Sequence, residues 1–425
     1  MAAPDPAPDA PSPPRGQALA WALYDWGNSA FATTVMAGFF PIFFKQYWSA
    51  GADPAQSTLH LGVANSVASV VVAAAAPFLG AIADRARGKK RFLATFAALG
   101  VVMTAALYFV AKGDWTTAAA CYVAAAVGFS GSIIFYDSLI VAVATPERSD
   151  RVSALGYSLG YLGGGILFGV NVAMTLKPAL FGLRDAAQAV RVSFAMVAVW
   201  WAVFTLPLLL RVQEPPAAGL GPARAVAAGA RQLVETFRRV RGMRHVWMFL
   251  LAYWLYIDGV DTVVRMAVDY GLSLGFESSS LITALLITQF VGFPAAIAFG
   301  RIGERIGTKN GILVGIAVYL GVTVYGYFMD SEAEFYGLAV VIGLVQGGVQ
   351  ALSRAYYSRI IPPEASAEFF GFYNMLGKFA AILGPTLMGW VSVTTGSARL
   401  SILSLAVLFL GGGALLIRVP AAPRD

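Results

Sequence analysis

Charge is scarce in this chain of 425 residues. Only 12% of them are Asp, Glu, Lys or Arg, about half the share usual for a soluble domain. A soluble fold of this length needs a polar surface, and too little polar material is present to cover one. The shortage excludes a cytosolic enzyme, a disordered regulator and a nucleic-acid-binding module. The net charge of +7 does not restore a nucleic-acid partner, because the basic residues sit in short loops beside apolar runs and not on one phosphate-binding face. A single cysteine, Cys121, excludes a disulfide within the chain and a cysteine-built metal site. The two histidines, His60 and His245, lie far apart near the ends of apolar runs. No metal, no cofactor and no enzyme activity is expected from them. There is no Walker loop, so ATP does not drive the protein from its own chain. Residues 1–16 lack a basic start followed by an apolar core, so they read as a disordered cytoplasmic tail and not as a signal peptide.

Apolar residues, by contrast, make up 58% of the chain. They fall in long runs separated by short polar breaks. A membrane-crossing helix needs about 20 predominantly apolar residues. Twelve runs qualify: 18–44, 58–82, 92–111, 116–144, 153–175, 191–210, 245–269, 279–300, 311–329, 335–360, 367–392 and 399–418. The Lys and Arg tally sets an orientation. With both termini in the cytoplasm, segments on that side hold 21 of these residues and external segments 6. Both termini are therefore expected to be cytoplasmic. Arg outnumbers Lys by 23 to 7, a bias of GC-rich bacterial genomes, which points to a bacterial inner (cell) membrane.

The two halves of the chain echo each other. Gly80-Ala-Ile-Ala-Asp84-Arg85 follows span two, and Gly300-Arg-Ile-Gly-Glu304-Arg305 follows span eight, 220 positions later. Pro146-Glu147 after span four is matched by Pro363-Glu364 after span ten, each followed by Ser and an aromatic- and Gly-rich helix. Two similar six-helix halves around a central pathway is a plan of secondary transporters. The expected organisation is a tail over 1–16, an N-terminal six-helix bundle over 17–211, a cytoplasmic linker over 212–244, a C-terminal six-helix bundle over 245–418 and a tail over 419–425. The linker's basic amphipathic stretch, Arg231 to Arg239, is expected to lie on anionic membrane lipids.

The loop pattern Gly-x-x-x-Asp/Glu-Arg-x-Gly-x-Lys resembles the signature between spans two and three of the major facilitator superfamily. Longer strings sharpen the likeness: Trp21-Ala-Leu-Tyr24-Asp25-Trp26-Gly27-Asn28-Ser29-Ala30-Phe31, Tyr256-Ile-Asp258-Gly259-Val260, Gly343-Leu-Val-Gln346-Gly347-Gly348-Val-Gln350-Ala-Leu-Ser353-Arg354, and Glu368-Phe-Phe-Gly371-Phe-Tyr373-Asn374-Met-Leu-Gly377-Lys378-Phe379. Together they resemble the vacuole effluxer family, the amino-acid exporters of fungal vacuoles and their bacterial relatives, over nearly the whole chain. The resemblance implies an all-α polytopic membrane protein of the major facilitator fold, with twelve transmembrane helices in two pseudo-symmetric bundles. It also implies a secondary transporter working by alternating access, and its fungal members imply amino-acid efflux. Asp137, Asp261 and Arg265 depart from the uncharged residues common at their positions in that family.

Charges inside spans are expensive and face a cavity or a partner. Asp25 and Asn28 share a helical face with Trp21. Tyr136 and Asp137 lie near the cytoplasmic end of span four, where Arg148 or Arg151 could neutralise the acid. Asp258, Asp261 and Arg265 share one face of span seven, and an Asp261–Arg265 pair would leave Asp258 the free acid. Gln346 and Gln350 stripe span ten beside Arg354, and Asn374 and Lys378 stripe span eleven. These ten residues, Asp25, Asn28, Tyr136, Asp137, Asp258, Gln346, Gln350, Arg354, Asn374 and Lys378, are the substrate-binding candidates. In the superfamily the repeated loop motif pins the halves in one state, which implies a conformational latch at Asp84, Arg85, Glu304 and Arg305.

Two arrangements stay open. A zwitterion could place its ammonium toward Asp25 and Asp137 and its carboxylate toward Arg354. Alternatively, Asp137 pairs directly with Arg354 or Lys378 and closes the cytoplasmic mouth. The expected partners are a small-molecule solute, membrane lipids and, as candidate coupling ion, protons. The function expected is secondary transport of an amino acid or related zwitterion, and the alternative is export of an organic anion or drug-like compound.

Overall fold

The computed structural model describes residues 16–51, scattered positions from 60 to 80, 88–214, 237–274 and 276–420, apart from a few side chains, Arg265 and Lys378 among them. Among the described residues all regular structure is helical. Keeping the sequence numbering of spans, span one is Gln17–Trp48, span three Lys89–Phe109, span four Trp115–Val143, span five Ser149–Leu176 and span six Ala186–Arg211. Span seven is Arg244–Ser273, span eight Ser278–Ile306, span nine Thr308–Phe328, span ten Glu332–Ile360, span eleven Ser366–Thr395 and span twelve Arg399–Arg418.

Ten helices among the described residues are long and apolar enough to cross a membrane, against twelve expected. The other two expected spans are the eleventh, a helix of 30 residues, and the second, 58–82, which lies largely outside the described residues. The positions described between 60 and 80 are all helical. Large apolar side chains such as Phe109, Leu176, Leu210 and Val393 stand more than half exposed on the helix flanks. In water such a surface is a liability, while in lipid it is the required one.

Local chemistry starts and bends the helices. Asp114, Asp185, Ser331 and Ser397 cap spans four, six, ten and twelve, each side chain accepting the N–H three residues on at 3.1, 2.7, 3.3 and 3.2 Å. Ser331 completes a capping box with Glu334, satisfying N–H groups that have no partner in the helix. All four caps lie on the face away from the termini, where even-numbered spans begin. Pro41 cannot donate an N–H and crowds the carbonyl four residues back. Span one accordingly widens into π-helix over Phe31–Phe39 and Phe44–Trp48 on either side of it, as helices do where the regular ladder is interrupted.

Within the first six spans, one packs on five and six, and three packs on four. Within the last six, eight packs on ten, and seven packs on eleven and twelve. The two sets meet through span five against eight and ten, and through span four against eleven.

Span eleven carries Pro385 in its interior, where the ring crowds the carbonyl four residues back and supplies no N–H, and this explains Asp258. The N–H groups of Leu383 and Gly384 donate to the Asp258 carboxylate at 3.1 and 2.8 Å, and the Thr262 hydroxyl donates at 3.2 Å. Asp258 is fully buried and joins span seven to the turn of span eleven that precedes Pro385. Asp258→Ala strands the buried N–H of Gly384 and the part-buried N–H of Leu383 and should destabilise the protein by about 2–4 kcal/mol, while Asp258→Asn keeps an acceptor and should lose less. Thermal unfolding of the two purified variants measures this, and an Asp258→Ala protein as stable as the wild type removes the capping role.

Candidate functional site

Roughly 9–12 Å inside the face where span one begins and span twelve ends, the terminal face, by the 1.5 Å rise per residue, four spans from the first six helices' side and the last six helices' side converge on one guanidinium. Arg354 of span ten is 2% exposed. Its Nη1 donates to Asp137 Oδ1 at 3.1 Å and lies 3.6 Å from Asp25 Oδ2. Its Nε donates to the Ser153 hydroxyl and its Nη2 to the Ser153 carbonyl, both at 2.9 Å. The Tyr136 hydroxyl donates to Asp25 at 2.9 Å, and the Asn374 amide donates to Asp137 at 3.1 Å. The rings of Trp21, Tyr136 and Tyr157 surround the guanidinium, with centroids 4.8, 5.3 and 4.3 Å from its carbon.

Small residues make the convergence possible. Span five reaches the cluster through Gly156, where a Cβ would stand 2.7 Å from the Tyr136 hydroxyl, 2.9 Å from Arg354 Nη2 and 3.0 Å from Asp25 Oδ2. No side chain fits there. The cluster holds two carboxylates and one guanidinium, so with all three ionised it carries one surplus negative charge. A low-dielectric interior disfavours such a surplus, and a proton or a second cation can balance it.

A second layer of contacts lies nearer the terminal face. Arg359, at the end of span ten, pairs with Asp150 at 2.9 Å and donates to the Pro146 carbonyl and the Ser149 hydroxyl, both at 2.8 Å. The Thr308 hydroxyl also donates to Asp150, at 2.8 Å. On the other flank Lys89 donates to Ser366 at 2.8 Å, and Ser366 donates to the Ser138 carbonyl at 3.2 Å. The repeated glycines seat these junctions. A Cβ at Gly80 would meet the Ala367 carbonyl at 2.2 Å, and one at Gly300 would meet Ala154 at 2.6 Å and the Asp150 carbonyl at 3.4 Å. Each repeat thus presses the start of a helix from the opposite set. These hydrogen bonds and ion pairs between the two sets all lie on this terminal side.

The structure therefore brings together Asp25, Tyr136, Asp137, Arg354 and Asn374. Asn28 is buried one turn beyond Asp25, its amide nitrogen without a hydrogen-bond partner among the described residues. Asp258 stands elsewhere, occupied by backbone N–H groups of span eleven. Gln346 lines a cavity of about 70 Å³ inside the last six helices, walled by apolar residues such as Val263, Leu285, Val322 and Ile342. Gln350 lies half-buried one turn before Arg354. The Lys378 side chain, and Asp84 and Arg85, lie outside what is described. Of the other latch pair, Glu304 meets Arg151 at 2.5 Å, while Arg305 is exposed. Asp137 pairs with neither Arg148 nor Arg151. Ser153 and Tyr157 were not singled out by sequence, because a Ser and a Tyr in a Gly-rich helix read as packing. Asp150 and Arg359 read as loop-end charges.

Comparison with known proteins places this arrangement. Residues 14–147 and 141–423 match the profile of the family described as vacuole effluxer Atg22 like. The chain belongs to this family. As an Atg22-like protein it is 39% identical over 406 residues to the MFS-type transporter YxiO of Bacillus subtilis, an alignment covering 95% of both chains. It is 26% identical over 288 residues to autophagy-related protein 22-2 of Aspergillus clavatus, covering 62% of this chain and 46% of the fungal one. Its fold is similar to that of the major facilitator transporter FucP in the outward conformation, with a TM-score of 0.71 and 12% identity over 96% of this chain and 99% of that one. It is likewise similar to the proton:xylose symporter XylE, with a TM-score of 0.70 and 12% identity over 95% and 94%. This Atg22-like chain is a multi-pass membrane transporter of the major facilitator fold and not an enzyme.

Gly156→Ala drives a methyl group between three members of the cluster. It should destabilise the Atg22-like protein by about 1–3 kcal/mol, the usual cost of overpacking. Thermal unfolding in detergent measures it, and an unchanged unfolding temperature contradicts the packing described.

Proposed function

We propose that the protein is a secondary active transporter moving an amino acid or related zwitterion by alternating access, with the Arg354 cluster as its gate at the terminal face. The observation that carries the proposal is that Arg354, from the last six helices, spends its hydrogen bonds on Asp137 and Ser153 of the first six. A guanidinium engaged in this way has no free fork for a solute carboxylate, which favours the gate over direct binding while this face is closed. Helices 17–211 and 245–418 move as two bodies joined by the linker 212–244, and the Arg354 cluster, Asp150–Arg359 and Glu304–Arg151 part together. The Lys and Arg tally supports a cytoplasmic terminal face in a bacterial inner membrane. The Atg22-like family supports an amino-acid cargo, and the surplus carboxylate supports proton coupling.

The gate is tested by charge exchange in proteoliposomes loaded with labelled amino acids. Removing one partner of a buried ion pair costs about 3–5 kcal/mol, so Arg354→Asp and Asp137→Arg should each lower efflux at least roughly tenfold. The double variant carrying both changes should recover part of it. A double variant as inactive as the singles, with Arg354→Lys weakening carboxylate ligands more than their amides, would instead make Arg354 a binding residue. Coupling is tested separately. Asp25→Asn removes the surplus carboxylate and should abolish transport driven by a pH gradient while sparing solute exchange; retained gradient-driven transport excludes Asp25 as the coupling group.

A further inference from the structure

Three of the five side chains that wall the Arg354 guanidinium are held by contacts within the first six helices. Trp21 stacks on Tyr136 with centroids 4.3 Å apart and planes 12° apart. The Trp21 indole N–H donates to the Tyr136 carbonyl at 2.8 Å, and the Tyr136 hydroxyl donates to Asp25 at 2.9 Å. Asp137 accepts from Asn374 at 3.1 Å, but Asn374 lies on span eleven, in the same set as Arg354. Tyr157 is the fifth wall and, unlike the others, is only partly buried. Trp21 and Asp25 come from span one, Tyr136 and Asp137 from span four, and Ser153 and Tyr157 from span five. All three spans belong to the first six helices, and Arg354 enters from outside that set.

We propose that the first six helices carry a preformed cation cage, built of the Trp21, Tyr136 and Tyr157 rings and the Asp25 and Asp137 carboxylates, which Arg354 fills while the terminal face is closed and a small organic cation fills when Arg354 withdraws. The proposal rests on the alternating-access reading above, which supplies the withdrawal. The chemistry of the cage defines its ligand. Aromatic faces attract a cation whose charge is spread and weakly hydrated, two carboxylates supply acceptors, and the Ser153 carbonyl and hydroxyl accept a planar N–H fork. A guanidinium matches all three, and a primary alkylammonium, such as the ammonium end of a zwitterion, matches the carboxylates fully and the aromatic faces less well, because its charge is compact and strongly hydrated. A neutral amide matches only the hydrogen bonds, and an anion none of them. Arg354 is in effect a tethered competitor, so cation entry and opening of the face become one event. When the halves part, two buried carboxylates lose their counter-charge, and a cargo cation restores it.

The test vacates the cage. Purified Arg354→Ala protein is titrated with methylguanidinium chloride, methylammonium chloride, the neutral isostere methylurea and sodium chloride. The cage calls for a saturable rise in unfolding temperature of roughly 2–5 °C with methylguanidinium, a smaller rise with methylammonium and none with methylurea. Adding Asp25→Asn and Asp137→Asn to Arg354→Ala should abolish the rise. No rise beyond that of sodium chloride, or an equal rise with methylurea, overturns the proposal. Should Arg354→Ala aggregate on extraction, recovery of monodisperse protein only with methylguanidinium present supports the cage, and aggregation under every salt passes the decision to a second measurement on a protein with Arg354 intact. There, Ala154→Cys in a Cys121→Ser background reports opening, because Ala154 is buried beneath Gly300 of the other set. Methylguanidinium should raise maleimide labelling of that cysteine several-fold, and labelling that ignores methylguanidinium but rises with other solutes overturns the cage and leaves alternating access standing. A cysteine that never becomes reactive, beside a cage that binds methylguanidinium in Arg354→Ala, counts against alternating access and not against the cage.

Discussion

A guanidinium buried to 2% exposure at membrane depth is the constraint on which the rest of the structure turns. Such a charge is tolerated only when it is paired and its N–H groups are taken up. Arg354 meets the requirement with Asp137, Asp25 and both oxygens of Ser153. To deliver those groups, spans one, four and five must converge, and span five can approach only through a residue without a side chain, Gly156. Because the desolvation cost of a buried ion pair is comparable to its Coulombic gain, the contact can define a state without making it permanent. That balance suits a gate better than it suits a scaffold.

The Arg354 cluster also lies on the internal symmetry of the chain. Asp137 and Arg354 are 217 positions apart, the same offset that relates Pro146-Glu147 to Pro363-Glu364 and Ser149 to Ser366. Corresponding positions of spans four and ten therefore carry opposite charges and meet. The junctions nearer the terminal face follow the same logic. Gly80 is pressed against the carbonyl of Ala367, and Gly300 against that of Asp150; the two glycines are 220 positions apart and the two carbonyls 217. Asp25 breaks the symmetry. The nearest comparable acid of span seven, Asp258, is occupied by the N–H groups of Leu383 and Gly384 and adds no charge to the Arg354 cluster. The first six helices thus hold the carboxylates and the aromatic walls, and the last six supply the cation.

Sequence alone determined much of the secondary structure and its membrane character. Lipid offers the backbone no hydrogen bonds, so a crossing demands a long apolar helix, and caps such as Asp114, Asp185, Ser331 and Ser397 mark where helices begin. The same solvent makes Asp25, Asp137, Asp258 and Arg354 conspicuous as candidates, because a charge inside an apolar run needs a reason. Only the tertiary structure decided what each charge does. Asp25 and Asp258 look alike in the chain, yet one joins an ion cluster and the other takes up backbone N–H groups beside Pro385 on a different helix. Asp137 has Arg148 and Arg151 within a few turns, yet its partner lies 217 positions away. Ser153 and Tyr157 carried no signal, since what makes them matter is the guanidinium brought against them. The division has one physical cause. Whether a residue prefers lipid or interior is a property of that residue and its helical neighbours, but which side chains touch depends on the rotation and register of two helices against each other, set by packing at positions such as Gly156 and Gly300 that contribute no side chain.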